Sequence, residues 1–319
     1  MLAFRCKADR HLCGAQPATE IGNDWYTTLS YLGVLPVGED CHEIRLPNSI
    51  SRALGIFSVT GDKSPLVALF GTCLVDMFRP SIGLSAISLL QRAGCRVAFP
   101  EAQTCCGQPM FNGGDLKHAR DLAKRHIELF AGYDYVVVPS GSCGGMIRVH
   151  YPQLFDDDDP WRVRAEELAQ RSYELVSFLV DVMHRERVEA RFPGRATYHD
   201  ACSGLRELGI KSQPRTLLSS VDGLELVEMV QAEAETCCGF GGAFSVKFPA
   251  ISTRLAADKL DSAHATRPDL LLGGDLGCLL HLAGYMSRQG DPVRVYHVAE
   301  VLAGNVELPA INGAAKDGQ

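Results

Sequence analysis

Thr236-Cys237-Cys238-Gly239 repeats Thr104-Cys105-Cys106-Gly107 after 132 residues, and this repetition divides the chain into two copies of one cysteine-bearing unit. Neighbouring side chains of an extended strand point to opposite faces, so two adjacent sulfurs serve one site only where the backbone bends. Gly107 and Gly239 supply the freedom for that bend, because a residue without a β-carbon takes positive φ and approaches a ligand closely. Each pair has outlying partners, Cys73 and Cys143 for the first, Cys202 and Cys278 for the second, and the offsets between copies are 129, 132, 132 and 135. The sets Cys73, Cys105, Cys106, Cys143 and Cys202, Cys237, Cys238, Cys278 therefore offer four thiolates each. That number suits an iron-sulfur cluster or a tetrahedral zinc site.

Bulk properties narrow the class. With 319 residues, 46% hydrophobic and 22% charged, the chain has the composition of a globular protein of about two domains. A net charge of -7 argues against a nucleic-acid partner, which needs a basic stripe. The longest apolar run, Leu270 to Met286, is interrupted by Asp275 and His281, so no transmembrane segment is expected. Twelve cysteines in a chain of this length, behind an N-terminus whose charges occupy the place of a signal peptide's apolar stretch, read as reduced cytoplasmic thiols and not as a disulfide framework.

The pattern along the chain predicts an α/β fold, two tandem pseudo-symmetric parallel-sheet units each carrying a Cys…CysCysGly…Cys motif. Residues 1–62 read as a poorly ordered extension in which Cys6, Cys13 and Cys41 are incidental thiols. The first unit covers 63–190, the second 191–308, and 309–319 reads as a disordered tail. Apolar strands at 66–71, 96–100 and 135–139 alternate with helical periodicity at 82–93 and 116–130, and 165–187 reads as helix-rich. Arg191 to Gly194 reads as the linker. Strands follow at 196–200, 224–229, 269–273 and 293–297, and Tyr296 to Leu302 echoes Tyr173 to Leu179. Loops beyond the carboxyl ends of parallel strands converge on a crevice, which brings distant cysteines to one edge of each sheet.

Gly71-Thr-Cys-Leu-Val-Asp76, Gln103-Thr-Cys-Cys-Gly-Gln-Pro109, Pro139-Ser-Gly-Ser-Cys143, Tyr198-His-Asp-Ala-Cys-Ser-Gly-Leu-Arg-Glu-Leu208, Thr236-Cys-Cys-Gly-Phe-Gly-Gly242 and Gly274-Asp-Leu-Gly-Cys278 resemble the cysteine-rich CCG-domain family over about residues 66–303. That family includes the CCG-bearing component of heterodisulfide reductase and the iron-sulfur component of glycolate oxidase. The resemblance implies an iron-sulfur electron-transfer subunit of a cytosolic complex that oxidises L-lactate to pyruvate with other lactate-utilisation subunits. It also implies that the eight cysteines are cluster ligands. The family's full motif ends in C-x-x-C, whereas Ser140 and Asp275 hold the first of those two positions here. Four cysteines per copy make [4Fe-4S] the expected form, one per unit, with zinc as an alternative at one site.

Other readings stay open beside that one. The cysteines alone do not separate lactate from glycolate or a disulfide as substrate, nor a redox subunit from a zinc-stabilised scaffold. Backbone amides around Gly144-Gly145 and Gly239 to Gly242 are candidates for hydrogen bonds to sulfur, or simply permit tight turns. His199-Asp200 supplies a proton relay or a supporting hydrogen bond to a cluster, or is simply a loop cap. Arg148 and Arg206 are either carboxylate binders or solvated arginines, and Cys95 reads as core. The acidic run 156–159 reads as a solvated loop, and no Ser/His/Asp set, phosphate loop or flavin fingerprint is present.

Overall fold

The computed structural model describes residues 35–37, 43–45, 64–229 and 232–313. Within the N-terminal extension it describes one short antiparallel pair, β1 (Leu35–Val37) with β2 (Glu43–Arg45). The incidental thiols Cys6, Cys13 and Cys41, and the rest of the expectation for 1–62, lie outside the described residues.

Two four-stranded parallel sheets follow. The first contains β3 (Leu66–Leu69), β4 (Arg96–Ala98), β5 (Tyr135–Val138) and β6 (Ser172–Glu174), in the spatial order β4-β3-β5-β6. The second contains β7 (Arg191–His199), β8 (Asp222–Leu226), β9 (Leu270–Gly273) and β10 (Arg294–His297), in the order β8-β7-β9-β10. Both halves thus arrange their strands second, first, third, fourth. The central strands are short apolar runs because helices cover both of their faces. Val67, Ala68, Leu69, Val136, Val137, Val138, Leu270 and Leu272 are wholly buried.

Side-chain alternation decides where each strand residue goes. Val67, Leu69 and Val137 join Leu270, Leu272 and Tyr296 in one core shared by both halves. Ala68, Phe70, Val136 and Val138 face an outer core of the first half, and Leu271 an outer core of the second. The helices of the shared core pair crosswise: Pro80–Arg92 packs on Val298–Leu302, and Leu175–Ser177 on Ser212–Leu218. Arg79 adds an ion pair across this seam, Nε donating to Glu300 Oε1 at 2.8 Å, and Ser81 Oγ donates to the same oxygen at 2.6 Å.

Three local expectations change. The helix-rich stretch 165–187 contains β6, a three-residue strand too short to show a period of two. The echo of Tyr173 to Leu179 in Tyr296 to Leu302 is this strand-to-helix turn occurring once per half. Arg191 to Gly194 is the irregular start of β7, where the register shifts and Gly194 takes φ 145°. Beyond Leu308, where the tail is expected, Ala310 is buried and Ile311 N-H donates to Val295 O at 2.8 Å; residues 314–319 lie outside the described set.

Candidate metal centres

Every paired or outlying cysteine follows a strand. Cys73 and Cys202 open short helices after β3 and β7. Cys143 and Cys278 lie in the first turns of the helices that follow β5 and β9, whose N-caps are Ser140 and Asp275. The pairs Cys105-Cys106 and Cys237-Cys238 sit in the loops after β4 and β8. Gly107 and Gly239 take φ 88° and 89°, the bend that two adjacent sulfurs need. A Cβ on Gly239 would stand 2.4 Å from Ser252 O, so the close approach of that helix also demands glycine.

The sulfurs gather into two chains of contact with the same order. Cys73 meets Cys105, Cys105 meets Cys106, and Cys106 meets Cys143 with 3.4 Å between sulfurs. Cys202 likewise meets Cys237, Cys237 meets Cys238, and Cys238 meets Cys278. In each quartet the same member is the most acidic. Hydrogen bonds from Cys106 and Cys73 hold Cys105 far below the usual thiol range, and those from Cys202 and Cys238 do so for Cys237. Gly239 N-H also donates to Cys237 Sγ at 3.3 Å. Cys73, Cys106, Cys202 and Cys238 are pushed up as the donors in these contacts. All described cysteines are free of disulfides.

The two quartets do not face away from each other. All eight sulfur-bearing residues line a single cleft of about 320 Å³ between the halves, with Ser140, Ser142 and Asp275 at its floor. Asp275 ties the floor together. Its Oδ1 accepts from Gly277 N-H and Cys278 N-H in its own half, and its Oδ2 accepts from Ser140 Oγ at 2.8 Å and Ser142 N-H at 2.9 Å in the other.

The supporting residues differ between halves. Behind the first quartet His126 Nε2 accepts from Thr104 N-H at 3.3 Å, and Nδ1 lies 2.8 Å from the hydroxyl of Tyr151, which donates to Cys106 O. This pattern assigns the proton to Nδ1, and burial keeps the ring neutral by lowering its pKa to about 4. On the matching helix of the second half stands Lys259, wholly buried, whose ammonium donates to Ala234 O. Burial lowers its pKa, while Asp200 and the thiols of Cys238, Cys278 and Cys237 oppose that shift. His199 is also wholly buried, with a pKa lowered to about 3 first by burial and then by Lys259.

The remaining candidates have structural partners. Arg148 donates to Ser172 O and stacks on Tyr173, and Arg206 donates to Glu235 O. Asp200 is held by both terminal guanidinium nitrogens of Arg215, and Cys95 is core. Asp159 caps the helix Pro160–Gln170. Sequence reasoning passed over Lys259, Tyr151 and the buried Glu174. The repeat itself could have flagged Lys259, since it lies 133 residues beyond His126.

The cysteine-rich domain model, CCG, matches residues 67–148 and 196–283. Lactate utilization protein A of Geobacillus kaustophilus is 49% identical over 236 residues, 74% of this chain and 98% of that protein. The protein of the same name from Exiguobacterium sp. is 47% identical over 240 residues, 75% of this chain and 97% of that protein. A hypothetical protein from Helicobacter pylori shares the fold with a TM-score of 0.55 and 12% identity, over 80% of this chain and 53% of that one. Among the described residues no helix is long and apolar enough to cross a membrane. The chain belongs to the cysteine-rich CCG-domain family, and carries the domain twice.

Proposed function

We propose that this chain is the iron-sulfur electron-transfer subunit of a cytoplasmic complex that oxidises L-lactate to pyruvate, with one [4Fe-4S] cluster per quartet. The observation that carries this reading is the convergence of eight cysteines, from the segments that follow six separate strands, into two like-ordered quartets on one cleft. The donor set fits: four thiols each, one of them made more acidic by its neighbours' hydrogen bonds, with a backbone N-H already directed at sulfur in the second. When bound, an iron-sulfur cluster takes up and releases single electrons, a task no side chain performs when a 2-hydroxy acid gives up two. The chain's own part is to hold the thiolates, to exclude bulk water with the buried floor around Asp275, and to keep both centres within one cleft. The relatives named for lactate utilization support the substrate and imply further subunits of that system.

A second reading, zinc in the first quartet, has one observation in its favour. Four sulfurs about 2.3 Å from a single zinc stand about 3.8 Å apart, close to the 3.4 Å between Cys106 and Cys143. Deletion of the gene, in a strain without another lactate dehydrogenase, tests the substrate: loss of growth on L-lactate with growth on glycolate retained is expected. Normal growth on lactate would remove this assignment.

A further inference from the structure

The two centres differ at the point where each meets its sheet. Three positions before the first cysteine of the quartet stands Phe70 in the first half and His199 in the second. Phe70 belongs to an apolar cluster, its ring 5.9 Å from that of Phe130. His199 ends β7 and is as deeply buried, yet neither ring nitrogen has a hydrogen-bond partner. A neutral imidazole carries one donor and one acceptor in either tautomer, so such burial leaves both unsatisfied. Neighbouring polar groups are committed elsewhere: Asp200 to Arg215, and Thr197 Oγ1 to Val227 O.

Near the ring stand the ammonium of Lys259, which donates to Ala234 O, and sulfur. One His199 nitrogen, Cys238 Sγ and Cys278 Sγ all lie within 4.8 Å of one another. Two donors on one metal ion are separated by at most the sum of their bond lengths, about 4.3 Å for one nitrogen and one sulfur. At the tetrahedral angle that separation falls to about 3.6 Å, so the three atoms need at most about 1.2 Å of adjustment to share an ion.

We propose that His199 is a nitrogen ligand of the second metal centre, making that centre a mixed thiolate-imidazole site while the first is all-thiolate. Five protein donors then surround the second centre and four the first; a [4Fe-4S] cluster takes one protein donor per iron, so His199 would stand there in place of one thiolate. A metal bond to one nitrogen satisfies the lone pair that the fold leaves open. The other nitrogen then carries the proton. The proposal rests on reading the quartets as metal centres, and its test is arranged so that the two can fail separately.

The full chain, purified without oxygen and reduced to a paramagnetic state, is compared by pulsed electron paramagnetic resonance with the same chain grown on 15N-histidine. The strong nitrogen coupling of a directly bound imidazole should appear and change with the label. It should vanish in His199→Phe, which installs the ring the first half carries at this place. It should persist when His126, His150, His281 or His297, which lie near the thiols or the cleft, is replaced by Gln. Metal analysis of the same samples reports whether the quartets are filled; where zinc is found, cobalt(II) substitution supplies the paramagnet. Filled quartets with no histidine coupling, with only the weak coupling of a hydrogen bond, or with strong coupling that survives in a folded His199→Phe chain would overturn the ligand assignment and leave the metal centres standing. If His199→Phe does not fold, the labelled wild type and the four Gln variants decide by themselves, through presence or absence of the coupling. A chain that takes up no metal overturns both.

Discussion

Ser140 Oγ donates to Asp275 Oδ2 at 2.8 Å, joining the two residues that stand three places before the last cysteine of each quartet. Each is 4% exposed. The positions at which the family motif has a further cysteine are here a hydrogen-bonded pair that closes the floor of the cleft. A buried carboxylate is tolerated because four donors, two from each half, surround it.

Asp275→Ala leaves Ser140 and Ser142 N-H without their acceptor and uncaps the helix Leu276–Gln289, and should cost about 3–4 kcal/mol. Ser140→Ala should cost about 1–2 kcal/mol. Urea denaturation of both singles and the double variant should show a coupling of at least about 1 kcal/mol. Additive losses would mean the pair does not hold the halves together.

Glu300 is wholly buried and satisfied by Arg79, Ser81 and the backbone N-H of His297. Arg79→Ala strands that carboxylate and should destabilise the chain by about 3–5 kcal/mol, read from the denaturation midpoint. Arg191→Ala, which breaks an exposed pair with Asp222, should cost no more than about 1 kcal/mol.

Glu174 supplies the pH dependence. Burial pushes its carboxyl from 4.5 up to about 8, against the hydrogen bonds donated by Ser177 N-H and Val176 N-H. Between these values the folded chain holds a proton that the unfolded chain has released, so this group's contribution falls as pH rises through the window and levels off above it. His126 and His199, lowered to about 4 and about 3, give the opposite slope below about 6.5. The difference between wild type and Glu174→Gln isolates the carboxyl. The wild type should lose about 3–5 kcal/mol relative to the variant between pH 5 and 8, at roughly 1.4 kcal/mol per pH unit. Parallel curves would place the carboxyl in its ordinary range.

The helices Gly141–Gly145 and Cys202–Arg206 touch through glycine. A Cβ on Gly141 would meet Gly204 N and Cα at 3.0 Å, whereas one on Gly204 finds nothing nearer than Gly141 Cα at 3.9 Å. Gly141→Ala should therefore cost about 1–3 kcal/mol and lower metal retention, and Gly204→Ala should be close to neutral. Equal effects would contradict the asymmetric fit.

Much of this architecture is legible in the residues. Val67 to Leu69, Tyr135 to Val138 and Leu270 to Gly273 announce buried parallel strands, and such strands deliver their following loops to one edge. That is why the quartets could be assembled from the repeat. What the residues hide is the relation between the halves. Nothing in a local pattern says that Val67 and Leu270 share a core, or that both quartets open into one cleft. Ser140 and Asp275 read locally as missing cysteines, because their partnership spans 135 residues. The sequence leaves His199 open between a relay, a bond to a cluster and a loop cap, since only the packed fold reveals that its ring has no oxygen or nitrogen to bond.

The central claim is that both quartets are metal centres filled with iron. Iron and labile sulfide are counted in the anaerobically purified full chain and in Cys105→Ser/Cys106→Ser and Cys237→Ser/Cys238→Ser variants. The account predicts a brown wild type with about eight irons, and about four in each variant. A colourless, iron-free wild type, or a variant that keeps the full count, would contradict it.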